Sequence, residues 1–301
     1  YGIFITSFGE VMKMPTGANT YTKPFLRWAG GKSWLIKHID KIIGSQSFNN
    51  YHEPFLGGGS IYFYLSPKNA AYLSDLNNEL IITYTAIKES PDDVIAELRQ
   101  YHNTPEDYYA IRQSNPITPC EVAARFIFLN QTSFNGIYRV NARGEYNVPY
   151  GNRTKEFLEE DKLRAASLQL QNSTLTQGDF ECIKPNIQTG DLVFLDPPYT
   201  VSHNNNGFIK YNQKLFSLED QYRLRRLIDF IKSQGAYYIL TNAAHQTIRD
   251  IFTQEDDIRY EFSRASLIGG ENATRGKIKE YIFTNIKGGC RHELCGRAGN
   301  R

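Results

Sequence analysis

Residues Asp191–Tyr199 read DLVFLDPPY, and this stretch decides the fold class. The apolar run Leu192–Leu195 shows no alternation with polar residues, which is typical of a strand buried on both faces. Asp196 follows directly, so its carboxylate is expected at the carboxyl end of that strand, where open α/β sheets bind their ligands. Two prolines then fix the backbone and provide no N–H donors, and Tyr199 adds a flat aromatic face.

Asp196 and the carbonyl of Pro197 therefore offer two hydrogen-bond acceptors with few local donors to compete for them. Two acceptors beside an aromatic ring suit a planar base with an exocyclic amine, which must leave a duplex before its nitrogen can react. A β-turn capped by an acid explains an isolated Asp-Pro-Pro-Tyr equally well, since short motifs often match by chance. The remaining sequence decides between the two interpretations.

The 301-residue chain is 41% hydrophobic with a formal net charge of +2, which indicates a globular protein with one large or two modest domains. No apolar run approaches the roughly 20 residues of a membrane span. Residues 1–20 lack the basic segment and cleavage site of an export signal, so we expect a cytoplasmic protein with no membrane contact. A charge this close to neutral requires any nucleic-acid surface to be a local patch.

Four scattered cysteines do not favour a secreted disulfide scaffold and fit a reducing compartment. Cys290, His292 and Cys295 resemble part of a metal clip, but no second cluster completes a tetrahedral site. We therefore expect no metal. Residues 1–20 are interpreted as a disordered leader and residues 287–301 as a disordered tail.

Short apolar runs that end in polar residues predict further strands. The predicted strands are Asn50–Pro54, Ala71–Leu73, Thr174–Gln177, Leu192–Leu195, Ala236–Thr241, Ile258–Phe262 and Lys279–Thr284. Between the second and third strands, the helix start signals Ser90-Pro91 and Thr104-Pro105 replace the strand–loop–helix pattern. The sequence therefore predicts a sheet domain over residues 21–76 and 166–286, interrupted by a helical domain over residues 77–165 that includes a hairpin at residues 134–151.

Two glycine clusters precede predicted helices. Gly30–Ser33 (GGKS) lacks the earlier glycine of a P-loop, where Leu26 stands, and Gly57–Gly59 lacks the later glycine of a dinucleotide fingerprint, where Tyr62 stands. Phosphate binding is therefore not expected. A close approach of another ligand to the backbone, with Lys32 opposite a carboxylate, and an ordinary turn both stay open.

Asp75 and Asp179 follow the second and third predicted strands, and so share a sheet edge with Asp196. Each acid alone is typical of a helix cap or a turn. Three acids at strand ends suit an adenosine, because its ribose hydroxyls and its exocyclic amine need acceptors.

Residues 134–155 form a basic, aromatic stretch. Its cations are Arg139, Arg143, Arg153 and Lys155, with Glu145 as the nearby acid, and its aromatic residues are Phe134, Tyr138, Tyr146 and Tyr150. This pattern suits phosphate neutralisation combined with stacking or insertion against bases. The alternative is a solvated charged face, although aromatic side chains are costly on such a face.

The motifs FLRWAGGK (25–32), EPFLGGGS (53–60), SDLN (74–77), GDF (178–180) and DPPY (196–199) resemble, in this order, those of the Dam-type, D12-class (alpha group) DNA adenine-N6 methyltransferases. The resemblance runs from about Tyr21 to Ile286, and it includes residues 135–151, similar to the family's DNA-reading hairpin, and Arg275–Glu280. It implies an α/β, Rossmann-like, S-adenosylmethionine-dependent methyltransferase fold, with a mostly parallel sheet, a terminal antiparallel strand and an inserted helical target-recognition domain.

The resemblance also implies roles for individual residues. The residues implied to hold S-adenosylmethionine and its product S-adenosylhomocysteine are Trp28, Lys32, Glu53, Pro54, Phe55, Gly57 and Gly59 at the methionine end, Asp75 at the ribose, Asp179 and Phe180 at the adenine, and Asp196. The residues implied to hold the flipped target base, and predicted to be catalytic, are Asp196, Pro197, Pro198 and Tyr199. The residues implied to contact DNA are Phe134, Asn135, Ile137, Arg139, Asn141, Arg143, Pro149 and Lys155. Among these, Phe134 would wedge into the base stack and Arg139 would read a guanine edge.

We therefore expect a site-specific adenine-N6 methyltransferase that acts on double-stranded DNA as a monomer or weak dimer. GATC is the commonest site of the family, and a restriction endonuclease is a candidate functional partner, although a phage or housekeeping role is equally open. Two alternatives remain. One is a cytosine-N4 methyltransferase, a class that usually carries Ser where Asp196 stands, and the other is a catalytically silent DNA-binding protein on the same fold.

Overall fold

The computed structural model describes residues 21–141, 143–199, 216–265 and 277–287. Within these ranges, strands form one sheet in the order β3-β2-β1-β4-β5-β7-β6. The strands are β1 (Tyr51–Glu53), β2 (Ala71–Asp75), β3 (Ser173–Gln177), β4 (Leu192–Leu195), β5 (Tyr237–Ala243), β6 (Ile258–Ala265) and β7 (Lys277–Thr284). Strands β1 to β5 pair in parallel, and β7 is antiparallel to both β5 and β6. The predicted α/β fold with a mostly parallel sheet is confirmed.

Helices surround this sheet. They are α1 (Ile36–Ile43), α2 (Ser60–Leu65), α3 (Asn78–Glu89), α4 (Pro91–Leu98), α5 (Pro105–Gln113), α6 (Pro119–Thr132), α7 (Glu160–Leu170), α8 (Leu218–Ser233) and α9 (Gln246–Phe252), with short 3₁₀ helices at Phe134–Gly136 and Phe180–Asn186. The predicted start signal Thr104-Pro105 caps α5, and a second side-chain cap begins α8. The Thr104 hydroxyl accepts from Asp107 N, and Ser217 and Asp220 cap α8 reciprocally. Ser90 precedes Pro91 as predicted but makes no side-chain cap.

Strand β4 is buried on both faces, as its unbroken apolar run predicts. Leu192 and Phe194 pack into one hydrophobic cluster, which contains residues of α1 to α7. Val193 and Leu195 point the opposite way, into a second cluster with residues of α8 and α9. Because successive side chains of a strand alternate between faces, a continuous apolar run fits a strand that is covered on both sides.

The chain changes direction across the sheet at β1 and β4. From β1 it proceeds outward to β2 and β3, and it then returns to place β4 on the other side of β1. The amino ends of these two strands are joined by Asp191, which accepts from Asn50 N at 3.0 Å and from His52 Nε2 at 2.8 Å. Because the order of the strands reverses at β1 and β4, the carboxyl ends of these two strands border the crevice at which open α/β sheets bind ligands.

A helical segment lies between β2 and β3 in the sequence, where the sequence predicts an inserted domain. The end of α6 contacts the segment before α1: Asn130 exchanges hydrogen bonds of 2.8 and 2.7 Å with the backbone of Arg27, and Gln131 Nε2 donates to Phe25 O at 2.6 Å. Because the predicted hairpin begins directly after α6, these contacts hold its base beside residues 25–28. The domain boundaries themselves stay predictions.

Several expectations concern residues that the structure does not describe. They are the leader at residues 1–20, the tail beyond residue 287 with Cys290, His292 and Cys295, and the amino-terminal part of Arg275–Glu280.

Candidate active site

Four carboxylates lie at strand ends along one edge of the sheet. Glu53 and Asp75 are the last residues of β1 and β2, Asp196 follows β4, and Asp179 follows β3 after one glycine. The strand order β3-β2-β1-β4 places these ends next to one another. The three acids predicted to share this edge therefore do share it, with Glu53 between Asp75 and Asp196.

Two donors converge on one oxygen of Asp196. Lys32 Nζ lies 2.7 Å from Asp196 Oδ1, and the Thr241 hydroxyl donates to the same atom at 2.6 Å. Among the described residues, no hydrogen bond reaches Asp196 Oδ2. The carboxylate is thus held in one orientation with one oxygen available to a ligand.

The charge of Asp196 depends on these neighbours. Burial, the largest effect, raises the pKa of the Asp196 carboxyl above its ordinary value, and the Lys32 ammonium and the Thr241 hydroxyl oppose that rise. The nearby Glu280 carboxylate adds to it. Since burial favours the neutral acid and an adjacent cation favours the carboxylate, Lys32 is the main group that keeps Asp196 ionised.

The resemblance implies that Lys32 contacts the methionine end of the cofactor, whereas in the structure the Lys32 ammonium contacts the Asp196 carboxylate. The Lys32 side chain is 4% exposed. Besides Asp196, its ammonium contacts the Gly30 carbonyl oxygen at 2.9 Å and lies over the Tyr199 ring, 5.1 Å from the ring centre. A contact between Lys32 and the cofactor stays a prediction.

Tyr199 ends the described part of the DPPY turn. Its ring is half-buried, and its hydroxyl donates a hydrogen bond to Glu280 Oε2. In the sequence, Pro197 and Pro198 lie between Asp196 and Tyr199. Pro197 is buried and Pro198 is half-buried. The turn therefore presents a carboxylate oxygen and an aromatic ring close to each other, as DPPY predicts.

Glu53 is the buried acid of β1. Its side chain is 3% exposed, and one carboxyl oxygen accepts the Tyr51 hydroxyl at 2.8 Å. Burial, partly opposed by the hydrogen bond from Tyr51, raises the pKa of Glu53 to about 8. Burial therefore favours the neutral form of Glu53, and a cation bound beside it would favour its ionised form.

Asp75 links β2 to the glycine loop that follows β1. Its Oδ2 accepts from Gly57 N at 3.0 Å, and its Oδ1 accepts from Asn77 N at 2.9 Å. Burial raises the pKa of Asp75, and these backbone hydrogen bonds oppose the rise. Each oxygen of a carboxylate has two acceptor sites, so the ribose contact predicted for Asp75 is compatible with these bonds.

Trp28 fills the space beside the glycine loop. A β-carbon on Gly57 would lie 2.7 Å from Trp28 Nε1. The same indole stacks with Phe126 and Tyr138, at ring-centre distances of 6.4 and 5.9 Å. The sequence predicts that this loop permits the close approach of a ligand, and the structure shows that it also permits the close approach of Trp28.

Gly57→Ala is expected to lower the free energy of unfolding by about 2–4 kcal/mol, because it adds a clash with Trp28 to a backbone of φ +46°. Gly144→Ala is the matched control. Its φ is +81° but a β-carbon there meets no atom within 4 Å, so only the backbone cost of about 1 kcal/mol is expected. Urea unfolding of both variants measures the difference, and equal losses would contradict a role for the Trp28 contact.

The acid and the aromatic residue predicted to bind the adenine of the cofactor already have protein partners. Arg223 donates to both oxygens of Asp179, at 2.7 and 3.2 Å, and Asp179 also accepts from Glu181 N. Phe180 is 4% exposed, with the Phe55 ring stacked at 5.4 Å and the Arg223 guanidinium over it at 4.7 Å. Contacts of Asp179 and Phe180 with an adenine ring stay predictions.

The segment predicted to be a hairpin folds back on itself. Two antiparallel bridges join its arms, Ser133 with Tyr150 and Val140 with Tyr146. Phe134 lies at the base with 50% of its surface exposed, and its N–H donates to the carbonyl of the exposed Pro149. The next residue, Asn135, is also exposed and has a φ of +56°. A large exposed aromatic side chain on a tight turn is the geometry that insertion into a base stack requires.

Two of the predicted DNA-contacting side chains are engaged within the hairpin. Arg139 is exposed, and Asn147 accepts from its Nε at 2.8 Å and from its terminal nitrogen at 3.3 Å through the backbone carbonyl. Asn141 Oδ1 accepts from the backbone N–H groups of Arg143 and Glu145, so this side chain builds the turn at the tip. The Arg143 side chain is exposed beside it.

The remaining residues predicted to contact DNA lie at the edges of the hairpin. Ile137 is half-buried. The Lys155 ammonium pairs with Glu159 at 2.9 Å while 56% of its side chain stays exposed. Arg153, which belongs to the same basic stretch, instead donates to the carbonyl and the side chain of Gln131 at the end of α6. The accessible members of the predicted set are therefore Phe134, Asn135, Arg139, Arg143, Pro149 and Lys155.

Neither a metal centre nor a membrane span is found in the part of the chain that the structure describes. No group of three or more His, Cys, Asp or Glu side chains there is arranged to hold a metal ion. No helix in the same residues is long and apolar enough to cross a membrane.

Comparison with known proteins identifies the family. Residues 28–266 match the D12 class N6 adenine-specific DNA methyltransferases. The chain belongs to this family. Similar proteins include a Type II methyltransferase, M1.LlaDCHI, of Lactococcus lactis subsp. cremoris, 34% identical over 274 residues (87% of this chain and 95% of that protein). They also include a DNA adenine methylase of Haemophilus influenzae, 31% identical over 269 residues (86% of this chain and 92% of that protein).

A D12-class methyltransferase is an adenine-specific enzyme that transfers a methyl group to N6 in DNA. The predicted family, enzyme class and reaction are therefore confirmed, and the cytosine-N4 and silent-binder alternatives receive no support. The order of motifs decided the family correctly, although each motif alone matches ordinary turns.

Sequence reasoning assigned no role to three residues of this D12-class site. Thr241 contacts Asp196, Glu280 accepts from Tyr199, and Arg223 binds Asp179. The sequence held a signal for the first two, because Thr241 is the polar last residue of a predicted strand and Glu280 ends the segment Arg275–Glu280 of the family resemblance. Arg223 carried no such signal, since a cation in an amphipathic helix is usually solvated.

Proposed function

We propose that this chain transfers a methyl group from S-adenosylmethionine to the N6 amine of an adenine flipped out of duplex DNA, with Asp196 as the acceptor for that amine. The observation that carries the proposal is the geometry of the Asp196 carboxylate. Lys32 and Thr241 hold Oδ1, and Oδ2 receives no hydrogen bond from the described residues. This oxygen lies at the edge between β1 and β4, where open α/β sheets bind their ligands.

The exocyclic amine of adenine is a weak nucleophile because its lone pair is delocalised into the ring. A hydrogen bond from the amine to Asp196 Oδ2, and a second to the Pro197 carbonyl, would favour a tetrahedral nitrogen and localise the lone pair. S-adenosylmethionine supplies an activated methyl group when bound and leaves as S-adenosylhomocysteine, while the methylated nitrogen loses one of its protons to solvent. The protein therefore contributes mainly position and electrostatics.

Tyr199 is assigned the role of stacking against the flipped adenine. Its ring lies between Lys32 and Glu280, which contact its face and its hydroxyl respectively. Stacking of a base on an aromatic side chain contributes about 1–3 kcal/mol. A ring that is held in place before DNA binds loses little conformational entropy when the base arrives.

The acids at the strand ends fit the cofactor. S-adenosylmethionine carries an ammonium and a sulfonium group, and Glu53 is a buried carboxyl that a cation would ionise. Asp75 keeps acceptor sites for ribose hydroxyls beside its two backbone donors. The chemistry of these residues therefore suits a cationic nucleoside better than a nucleotide with phosphates.

DNA recognition is assigned to the hairpin. Its accessible cations and the exposed Phe134 combine phosphate neutralisation with an inserting side chain. Asn147 orients the Arg139 guanidinium through two hydrogen bonds. An oriented guanidinium with free donors is suited to bidentate contact with a guanine.

Arg139→Ala is expected to weaken binding to the cognate site by about 1–3 kcal/mol and to relax the choice of one base pair. Lys155→Ala is the matched control, because the loss of an exposed cation that contacts phosphate should weaken all sequences alike. Equilibrium titrations with cognate duplexes, single-substitution duplexes and random duplexes at one salt concentration measure both. Equal losses of Arg139→Ala on cognate and random DNA would refute base recognition by this residue.

The full function is tested by expressing the chain in a methylation-deficient host. Its DNA is then digested with a panel of methylation-sensitive nucleases, and N6-methyladenine is measured by mass spectrometry. We propose a GATC-like target, the commonest site of the family. We also propose pairing with a restriction endonuclease, since Type II is part of the names of three similar proteins. We further propose a monomer or weak dimer. Absence of N6-methyladenine in that DNA would overturn the proposed function.

A further inference from the structure

Glu280 is a buried carboxylate beside the proposed catalytic centre, and the mechanism above does not use it. It lies on β7, and none of its surface is exposed. Strand β7 pairs antiparallel with β5, with Glu280 opposite Ala243. Because side chains two residues apart in a strand point to the same face, Glu280 shares a face of the sheet with Thr241, which donates to Asp196.

Glu280 accepts the hydroxyl of Tyr199, the ring assigned to stacking. The ammonium of Lys32 lies over the same ring, 5.1 Å from its centre. Two contacts from distant parts of the chain therefore orient one ring, one at its hydroxyl and one at its face. A buried carboxylate is costly unless it accepts hydrogen bonds, and the Tyr199 hydroxyl is one donor that stabilises Glu280 here.

We propose that Glu280 is a positioning residue for methyl transfer, which orients the Tyr199 ring, through its hydroxyl, for stacking of the target adenine. This inference rests on the proposed function, because it assumes that Tyr199 stacks on that base. A misaligned ring would move the amine away from Asp196 Oδ2. Displacements of about 1 Å in an active site can reduce rates by about a hundredfold, so control of the ring angle matters.

A double-mutant cycle tests the proposal. Tyr199→Phe removes only the hydroxyl. Glu280→Leu removes its acceptor together with the carboxylate that raises the pKa of Asp196. The third variant combines the two changes. Each single change is expected to slow single-turnover methylation by about tenfold. The combined variant should be no slower than either one, because both changes break the same hydrogen bond. Glu280→Gln should stay close to the wild-type rate, since its amide oxygen accepts the hydroxyl.

Glu261→Gln is the matched control, because Glu261 lies on the neighbouring strand β6 but is exposed and paired with Lys279 at 2.7 Å. It should leave the rate unchanged. Tyr199→Phe at the wild-type rate would overturn the proposal. So would a full further loss when Glu280→Leu is added to Tyr199→Phe. If Glu280→Leu does not fold, Glu280→Gln as slow as Tyr199→Phe would overturn it instead. If the wild-type chain transfers no methyl group to adenine, the proposed function itself fails.

Discussion

Asp196→Asn is expected to slow methyl transfer by more than about a hundredfold while the affinities for S-adenosylmethionine and for cognate DNA stay close to those of the wild-type chain. The amide cannot provide the negative charge that the amine needs as nitrogen becomes tetrahedral. Loss of one preorganised charge-assisted hydrogen bond at such a site costs about 3–4 kcal/mol in the transition state. The ground state loses less, because the amine forms its strongest contact only as the reaction proceeds.

Single-turnover transfer of a labelled methyl group to an unmethylated duplex measures this effect, and calorimetry measures cofactor binding in parallel. A 2-aminopurine at the target position should still become fluorescent when the Asp196→Asn variant binds DNA, because flipping precedes chemistry. Asp161→Asn is the control, since Asp161 is fully exposed on α7. Transfer at the wild-type rate by Asp196→Asn would show that another group accepts the amine.

The placement of Asp196 could be predicted from the sequence because it depends on local pattern alone. A run of four apolar residues stopped by an acid and two prolines specifies a buried strand and the group at its end. Asp75 was predictable from a similar local pattern, because it closely follows a predicted strand, and the structure shows that it is the last residue of β2. Strand ends of a parallel sheet necessarily meet at one edge.

The partners of these acids could not be predicted in this way. Lys32 and Thr241 reach Asp196 from positions 164 and 45 residues away in the chain, and such pairs depend on strand order and register. The sheet order places β5 beside β4, which brings Thr241 next to Asp196. Lys32 was assigned to the cofactor because a motif identifies a residue but not its partner. The motif alone does not distinguish the carboxylate of S-adenosylmethionine from that of Asp196.

Lys32→Met is expected to move the acid limb of the pH–rate profile, in which the methylation rate falls as the pH is lowered, to higher pH. Burial raises the pKa of Asp196, and the Lys32 ammonium is the strongest influence that opposes this rise. Without the cation, the pKa of Asp196 rises further, so the carboxylate becomes protonated at a higher pH than in the wild-type chain. Since only the ionised form can accept from the amine with full strength, the variant should lose about tenfold or more at neutral pH and recover part of that loss in alkaline buffer.

The pH profile distinguishes this role from the contact with the cofactor that the family resemblance implies. If Lys32 mainly binds the carboxylate of S-adenosylmethionine, Lys32→Met should weaken cofactor affinity at every pH and leave the acid limb in place. If it mainly sustains the charge of Asp196, the limb should move even when the cofactor is saturating. Lys37→Met, which removes an exposed cation from α1, controls for the overall change in charge. If the acid limb of the pH–rate profile stays in place in Lys32→Met at saturating cofactor, the assignment of Lys32 to Asp196 is refuted. The 2.7 Å contact would then have no influence on the protonation of the Asp196 carboxyl.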